Sequence, residues 1–370
     1  MNMASDEPGS GDWATPGEPP AQPPYFTPPP PAPGWGPPAP GWGQPGYGWG
    51  PPQPPRPGII PLRPLAVGEI LDGAFTTIRR YPAATLGLTA PIMLVVEALR
   101  TATSYYLLHG IRTDITTTTN GTITGFGNVG DYAGRTATVE IIVAIATLVA
   151  TALLSGIIAT IIGQGALGRP MSAGDAWRAT VPSFWRLLGA SLLVLLIIAA
   201  VGVVGVAPGI LIAVYGATGP GVALAVLGGL AASVIALYLG IALSLATPAL
   251  MLEKQGVLAA LRRSRLLVRG SWWRIFGITV LAGIITLVIS GIISAPFAFA
   301  GGSISGILSG NSSEQFTFTP LLLTGIGGLI ASTLVRPFSS GVIALLYLDR
   351  RMRSEGLDHT LQQAAATPAP

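Results

Sequence analysis

The sequence contains no cysteine, one lysine (Lys254) and two histidines, and only 10% of its 370 residues are charged. Without cysteine there are no disulfides, thiolate metal sites or cysteine nucleophiles, and the redox compartment is left unmarked. No glycine-rich phosphate loop, paired-histidine zinc motif or nucleophile elbow occurs. The histidines, His109 and His359, fall on opposite sides of the topology derived below and so share no site. Half of the residues are hydrophobic and the mean hydropathy is +0.60, which leaves too little polar surface for a soluble fold. The net charge of +4 invites a nucleic-acid reading. The basic residues are scattered over short loops, however, and nucleic acid is discounted as a partner.

What the chain does have is long apolar runs. Residues 137–163 and 209–252 carry a single acidic group, Glu140, and each run exceeds the ~20 residues that cross a hydrocarbon core. Six spans are expected near 83–108, 137–163, 187–207, 222–247, 275–300 and 321–348. No charge separates the third from the fourth, and only Pro208-Gly209 and the glycines of 216–221 offer a turn. A re-entrant segment there, with five or seven spans, is the alternative.

Orientation follows from the basic residues, which collect in cytoplasmic loops. With the N-terminus inside, sixteen of the 20 fall on that side. They are Arg56, Arg63, Arg79 and Arg80; Arg169, Arg178 and Arg186; six from Lys254 to Arg274; and Arg350, Arg351 and Arg353. The expected outer loops hold Arg112 and Arg135 and the triplets Asn120-Gly121-Thr122 and Asn311-Ser312-Ser313, read as polar turns rather than glycosylation sites.

Residues 1–64 are rich in proline and glycine, with Pro-Gly-Trp-Gly at 33–36 and again at 40–43. Such a composition cannot bury enough apolar surface to offset chain entropy, so a disordered cytoplasmic tail is expected. It has no charged start followed by an apolar stretch, which leaves the first span as the insertion signal. Residues 65–353 form the expected transmembrane domain and 354–370 a cytoplasmic C-terminal tail. The preference for arginine, with abundant alanine, glycine and proline, matches a G+C-rich bacterial genome and a plasma-membrane location.

Three segments that open the odd-numbered spans are alike: Tyr81-Pro82-Ala83-Ala84-Thr85-Leu86-Gly87, Ser183-Phe184-Trp185-Arg186-Leu187-Leu188-Gly189 and Ser271-Trp272-Trp273-Arg274-Ile275-Phe276-Gly277. They suggest three copies of one unit, in which a cytoplasmic amphipathic helix leads into a hairpin of two spans. In the third copy Val257, Leu261, Val268 and Trp272 share one helix face, and Arg262, Arg265 and Arg269 share another. Arg262, Arg263, Arg265 and Arg269 are therefore candidate contacts for anionic lipid headgroups, although topology alone also calls for positive charge here.

Ionisable groups at membrane depth are costly unless paired or wetted, and they mark candidate sites. Glu97 and Arg100 stand three apart on the first span, while Arg336, beside Pro337, has Glu97 or Glu140 as possible partners. Glu97, Arg100, Glu140 and Arg336 form the candidate intramembrane polar site; a structural ion pair is the competing reading. The glycines within the spans read as close-packing positions.

From Arg63-Pro64-Leu65 through Gly68-Glu69-Ile70-Leu71-Asp72 to Phe75, the chain resembles actinobacterial relatives of the glycerophosphoryl diester phosphodiesterase membrane-domain family. Ala259-Ala260-Leu261-Arg262-Arg263-Ser264 and the stretch from Tyr347-Leu348-Asp349-Arg350 to Asp358 extend the likeness. The resemblance implies a stand-alone membrane region, since nothing matches the soluble phosphodiesterase domain that gives the family its name. The charges around Asp349 read as a solvated helix end. The expectation is thus an all-α polytopic bundle without catalytic residues, cofactor or metal. It would engage membrane lipids, and protein partners through its tail. The alternative is a transporter or lipid-handling protein with a polar intramembrane cavity.

Overall fold

A computed structural model describes residues 60–61, 63–108, 129–216, 218–302 and 317–355, with two short strands at 115–117 and 123–126. The segment 1–59, His109, Arg112, the triplets at Asn120 and Asn311, and the tail beyond 355 with His359 lie outside the described residues.

Among the described residues six helices are long and apolar enough to span a membrane. They are α2 (Pro82–Leu108), α3 (Val129–Ala166), α5 (Phe184–Tyr215), α6 (Thr218–Leu243), α9 (Trp272–Ala300) and α10 (Phe318–Glu355). The shorter α-helices among the described residues are α1 (Val67–Arg80), α4 (Ala173–Thr180), α7 (Ala246–Glu253) and α8 (Val257–Val268). At 1.5 Å per residue the 27 residues of α2 extend ~40 Å, enough to cross the hydrocarbon layer with margin. Pro91, Pro208, Pro296 and Pro337 lie inside α2, α5, α9 and α10, as membrane helices tolerate. β1 (Ile115–Thr117) and β2 (Ile123–Phe126) form an antiparallel ribbon between α2 and α3.

The expected architecture is present: consecutive spans pair as α2 with α3, α5 with α6, and α9 with α10. An amphipathic helix precedes each pair, and alternation of six spans brings α1, α4, α7 and α8 to one end of the bundle, called here the basic end. The repeated sequence segment has a structural counterpart. Gly87, Gly189 and Gly277 stand five residues after the first residue of α2, α5 and α9. Two positions before each glycine, Thr85, Leu187 and Ile275 are all fully buried. Trp185 and Trp273, the second residues of α5 and α9, are almost equally exposed at 78% and 77%, as interfacial tryptophans would be.

α5 continues through Pro208 and Gly209 to Tyr215, with Gly216 at its end, and α6 begins at Thr218, so the third and fourth spans are not separated at Pro208-Gly209 and no re-entrant segment intervenes among the described residues. A methyl group on Gly209 would overlap Ala225, one on Gly221 would overlap Ala213, and one on Gly228 would overlap the Gly205 carbonyl. The two backbones are therefore in direct contact along the hairpin, as small residues permit in lipid. Glycine packing is not general, however. A methyl at Gly87 or Gly277 would meet nothing within 4 Å, which corrects the close-packing reading at those positions.

The dense core sits toward the basic end, where Ile157, Ile161, Leu245, Val342 and Leu345 are buried together. The α5–α6 hairpin instead presents Leu196, Val203, Val204, Leu227 and Val234 outward, a surface that only hydrocarbon tolerates. Ile60 and Leu65 are 1% and 0% exposed and belong to the core. The packed domain thus starts before residue 65. The apolar face of α1, with Ile70 and Ala74, packs on the bundle rather than on lipid.

Candidate functional site

Glu97 of α2 and Arg336 of α10 come together; Glu140 does not join them. The Arg100 Nε lies 3.7 Å from Glu97 Oε2, and Glu97 and Arg336 are close enough to interact electrostatically. Room for the Glu97 carboxylate comes from Gly328 on α10, where an added methyl would stand 3.1 Å from Oε2. Glu140 is exposed on α3. Because α3 begins at Val129, Glu140 lies in its first third instead of at mid-span, so no buried partner is required.

Around these charges lies a groove between α2, α9 and α10. One part, about 360 Å³, is lined by Thr286, Ser290 and Ser294 of α9 and by Ser332, Arg336 and Ser339 of α10. Spacing of four residues puts the three α9 hydroxyls on one stripe. A second part, about 330 Å³, shares Ser294 and Gly328 and adds Glu97, Arg100, Thr101 and Ser104. An apolar cleft of about 420 Å³, walled by Leu94, Ala98, Tyr106, Leu322 and Ile326, opens beside it and shares Glu97, Thr101 and Gly325.

A separate cleft of about 850 Å³ opens at the basic end between α5, α6 and α8. Leu193, Ile197, Leu239 and Leu243 form its apolar wall, and Arg262, Arg265 and Arg269 line its α8 side. All three arginines are exposed, and none has a carboxylate within 4 Å among the described residues. Trp272 closes one edge, stacked on Tyr238 at 5.8 Å and on Phe276 at 5.0 Å. Gly270, with φ 83°, makes the turn from α8 into α9, a backbone conformation that favours glycine.

Arg263 takes a different part from its three neighbours. It bonds Glu253 of α7 at 3.2 Å and also Glu355 of α10. Burial pushes its pKa down, but the two carboxylates outweigh burial and hold it above the ordinary arginine value. Glu253 also accepts from the Tyr347 hydroxyl and lies 3.4 Å from Arg351. One residue further along α8 the Ser264 hydroxyl donates to the Ala242 carbonyl of α6 at 2.8 Å. Together these bonds fix the rotation of α8 and hold Arg262, Arg265 and Arg269 toward the cleft.

Asp349 is the largest departure from the sequence reading. It is fully buried, not solvated. It accepts from the Leu65 N–H at 2.8 Å, from Arg353 Nε at 2.9 Å and from Arg274 Nη2 at 3.2 Å. The Leu65 carbonyl in turn accepts from Arg274 at 2.7 Å and from Arg353 at 2.8 Å. One carboxylate and the backbone N–H and carbonyl of one residue, Leu65, thereby tie the start of the domain to the first turn of α9 and the end of α10.

Comparison with known families matches residues 65–349 to a domain of unknown function, DUF7847. The chain belongs to the DUF7847 family. No curated protein and no solved structure matches it. The first and last residues matched to DUF7847 are Leu65 and Asp349, the two partners of the buried bond just described. In this DUF7847 domain the ends are thus fastened to each other. Among the described residues no three of His, Asp and Glu gather where they could hold a metal ion.

The roles of Asp349, Glu253, Tyr347, Arg274 and Ser264 escaped sequence reasoning, although three of them stand in the stretches that carried the family resemblance. Their partners are 94, 284 and 22 residues away in the chain for Tyr347, Asp349 and Ser264, beyond any periodicity. The α9 hydroxyl stripe was legible in principle from its four-residue spacing.

Proposed function

We propose that this multi-pass membrane protein is non-enzymatic and binds anionic phospholipid at its basic end, in the cleft between α5, α6 and α8. The observation that carries this reading is the set of exposed arginines on α8, Arg262, Arg265 and Arg269, with no carboxylate within 4 Å among the described residues, beside the apolar wall of Leu193, Ile197, Leu239 and Leu243. Guanidinium groups offer planar, multidentate donors to phosphate oxygens. Tyr238 and Trp272 are amphipathic rings of the kind found at the headgroup level. With the N- and C-termini in the cytoplasm of a bacterial cell, the cleft faces the inner leaflet. In this reading the tail at 1–59 contacts protein partners, as proline-rich segments with spaced aromatics do. Kinship with the glycerophosphoryl diester phosphodiesterase membrane-domain family belongs to the same proposal.

Each basic residue near an anionic surface contributes about 1 kcal/mol, so the three arginines together contribute about 3 kcal/mol. In nanodiscs, phosphatidylglycerol should therefore raise the thermal midpoint relative to phosphatidylcholine, and Arg262→Gln/Arg265→Gln/Arg269→Gln should abolish most of that rise. An equal response of the parent and the triple variant would overturn the reading. Arg263→Gln is the contrasting control: it should lower the midpoint in both lipids.

A further inference from the structure

The groove between α2, α9 and α10 carries more positive than negative charge. Two guanidiniums, Arg100 and Arg336, face one carboxylate, Glu97. Glu97 is engaged by Arg100 at 3.7 Å. No carboxylate lies within 4 Å of Arg336 among the described residues, and none of them accepts a hydrogen bond from it. Arg336 is eighteen residues into α10 from Phe318 and nineteen from Glu355, near the middle of that helix. A charge at such depth persists only when paired, wetted or liganded.

A net positive groove repels cations, and the low dielectric around it strengthens the repulsion. Proton transfer along the groove would need a relay of titratable groups, and Glu97 is the only carboxylate in it. An oxyanion fits the charge. The hydroxyls of Thr286, Ser294, Ser332 and Ser339 already donate to carbonyls of their own helices; the guanidiniums supply the charged donors, with the hydroxyls of Ser290, Thr101 and Ser104 beside them. The adjoining apolar cleft, continuous with the groove through Glu97, Thr101 and Gly325, indicates what the oxyanion is attached to. A small inorganic anion has no use for that wall; an acyl chain does.

We propose that this groove is a second, intramembrane binding site for an anionic phospholipid, its phosphate held by Arg336 and Arg100 and one acyl chain laid along Leu94, Ala98 and Ile326. Glu97 is a positioning residue that orients Arg100. The site is separate from the α8 cleft and stands without it.

The test uses the full chain in a neutral detergent, titrated with dihexanoyl phosphatidic acid, dihexanoyl phosphatidylcholine or inorganic phosphate and followed by native mass spectrometry. All arms are run on the α8 triple-glutamine background, so that only the groove is read. Phosphatidic acid should bind more tightly than either control. Arg336→Gln should weaken it by about tenfold or more, as expected for loss of a charge-assisted bond, and Arg336→Lys should recover part of the loss. Ala98→Trp, which fills the cleft from its exposed wall, should weaken phosphatidic acid and leave inorganic phosphate unchanged; it carries the test should Arg336→Gln fail to fold. Unchanged affinity in Ala98→Trp, or in a folded Arg336→Gln, would overturn the proposal. Inorganic phosphate binding as tightly as phosphatidic acid would also overturn it, showing an anion site without a lipid. Failure of phosphatidic acid to bind at all would do the same while leaving the α8 reading standing.

Discussion

Replacing Asp349 by asparagine keeps the shape of the side chain and removes its charge. The parent carboxylate accepts three hydrogen bonds, two of them from guanidiniums at 2.9 and 3.2 Å. Asparagine retains one acceptor oxygen and turns an amide N–H₂ toward a donor. Each charge-assisted bond contributes roughly 1.5–3 kcal/mol, and removing one partner of a buried pair costs about 3–5 kcal/mol. The lower end applies here. Arg274 and Arg353 keep 33% of their side-chain surface exposed, and both retain the Leu65 carbonyl as an acceptor. A loss of about 3 kcal/mol corresponds to a fall of roughly 5–10 °C in thermal midpoint for a domain of this size. The assay is the apparent midpoint in detergent at one fixed scan rate, since membrane proteins seldom unfold reversibly. Truncation supplies an independent check. Removing residues 1–59 leaves Ile60, Leu65 and the lock intact and should not move the midpoint. Removing 1–66 deletes the Leu65 peptide group together with two buried apolar side chains, and should lower the midpoint at least as far as Asp349→Asn. A midpoint for Asp349→Asn within about 1 °C of the parent, or a harmless 1–66 deletion, would refute the claim that this buried carboxylate holds the domain closed.

Two further outcomes are expected. Gly228→Leu should force α6 away from the Gly205 carbonyl and destabilise the α5–α6 hairpin by several kcal/mol, as overpacking against backbone does; loss of folded protein in size-exclusion chromatography would register it, whereas Gly277→Leu, with open space around it, should be tolerated. Deleting residues 1–59 should leave membrane insertion intact and abolish recovery of crosslinked protein partners, and unchanged partners would remove the tail from the proposed function.

The spans were legible because hydrophobic runs of that length have one physical use, and alternation of arginine-rich loops fixed their parity. The end of α5 was less so. Pro208 looks like a breaker by the rules of water, but in lipid the helix continues through it to Tyr215 and turns where glycine and threonine cluster. Glu97 and Arg100 could be paired from their three-residue spacing, and Arg336 stood out by the rarity of charge at depth. Their meeting across α2 and α10 depends on Gly328, whose role only the packed structure reveals. Glu140 stands near the start of the apolar run at 137, but α3 starts eight residues before that run, which moves Glu140 away from mid-span. Asp349 was misread for a different reason. Local pattern assigns a charged helix end to water, and nothing local announces that Leu65, 284 residues earlier in the chain, folds against it.

Both candidate sites reach seams between the repeated hairpins, although the part of the groove that holds Arg336 lies within the third hairpin, between α9 and α10. The groove is bounded by α2 of the first hairpin and α9 and α10 of the third; the basic-end cleft is bounded by α5 and α6 of the second and α8 of the third. Packing within a hairpin differs from copy to copy. In α5–α6, glycines bring the backbones into contact, and little volume is left between them. Between α9 and α10 small hydroxyl side chains face one another, and there, as at the seams where unlike copies meet, gaps of several hundred Å³ remain. The third repeat contributes to both sites: α9 carries the Thr286, Ser290 and Ser294 stripe, α10 carries Arg336, and α8 carries the exposed arginines. The same unit also supplies Arg274 and Asp349 to the lock. Repetition thus builds the scaffold, while polar residues particular to single copies, Glu97 and Arg100 in the first and these in the third, line the gaps that the scaffold leaves open, as at the repeat interfaces that house ligand sites in other repeat-built membrane proteins.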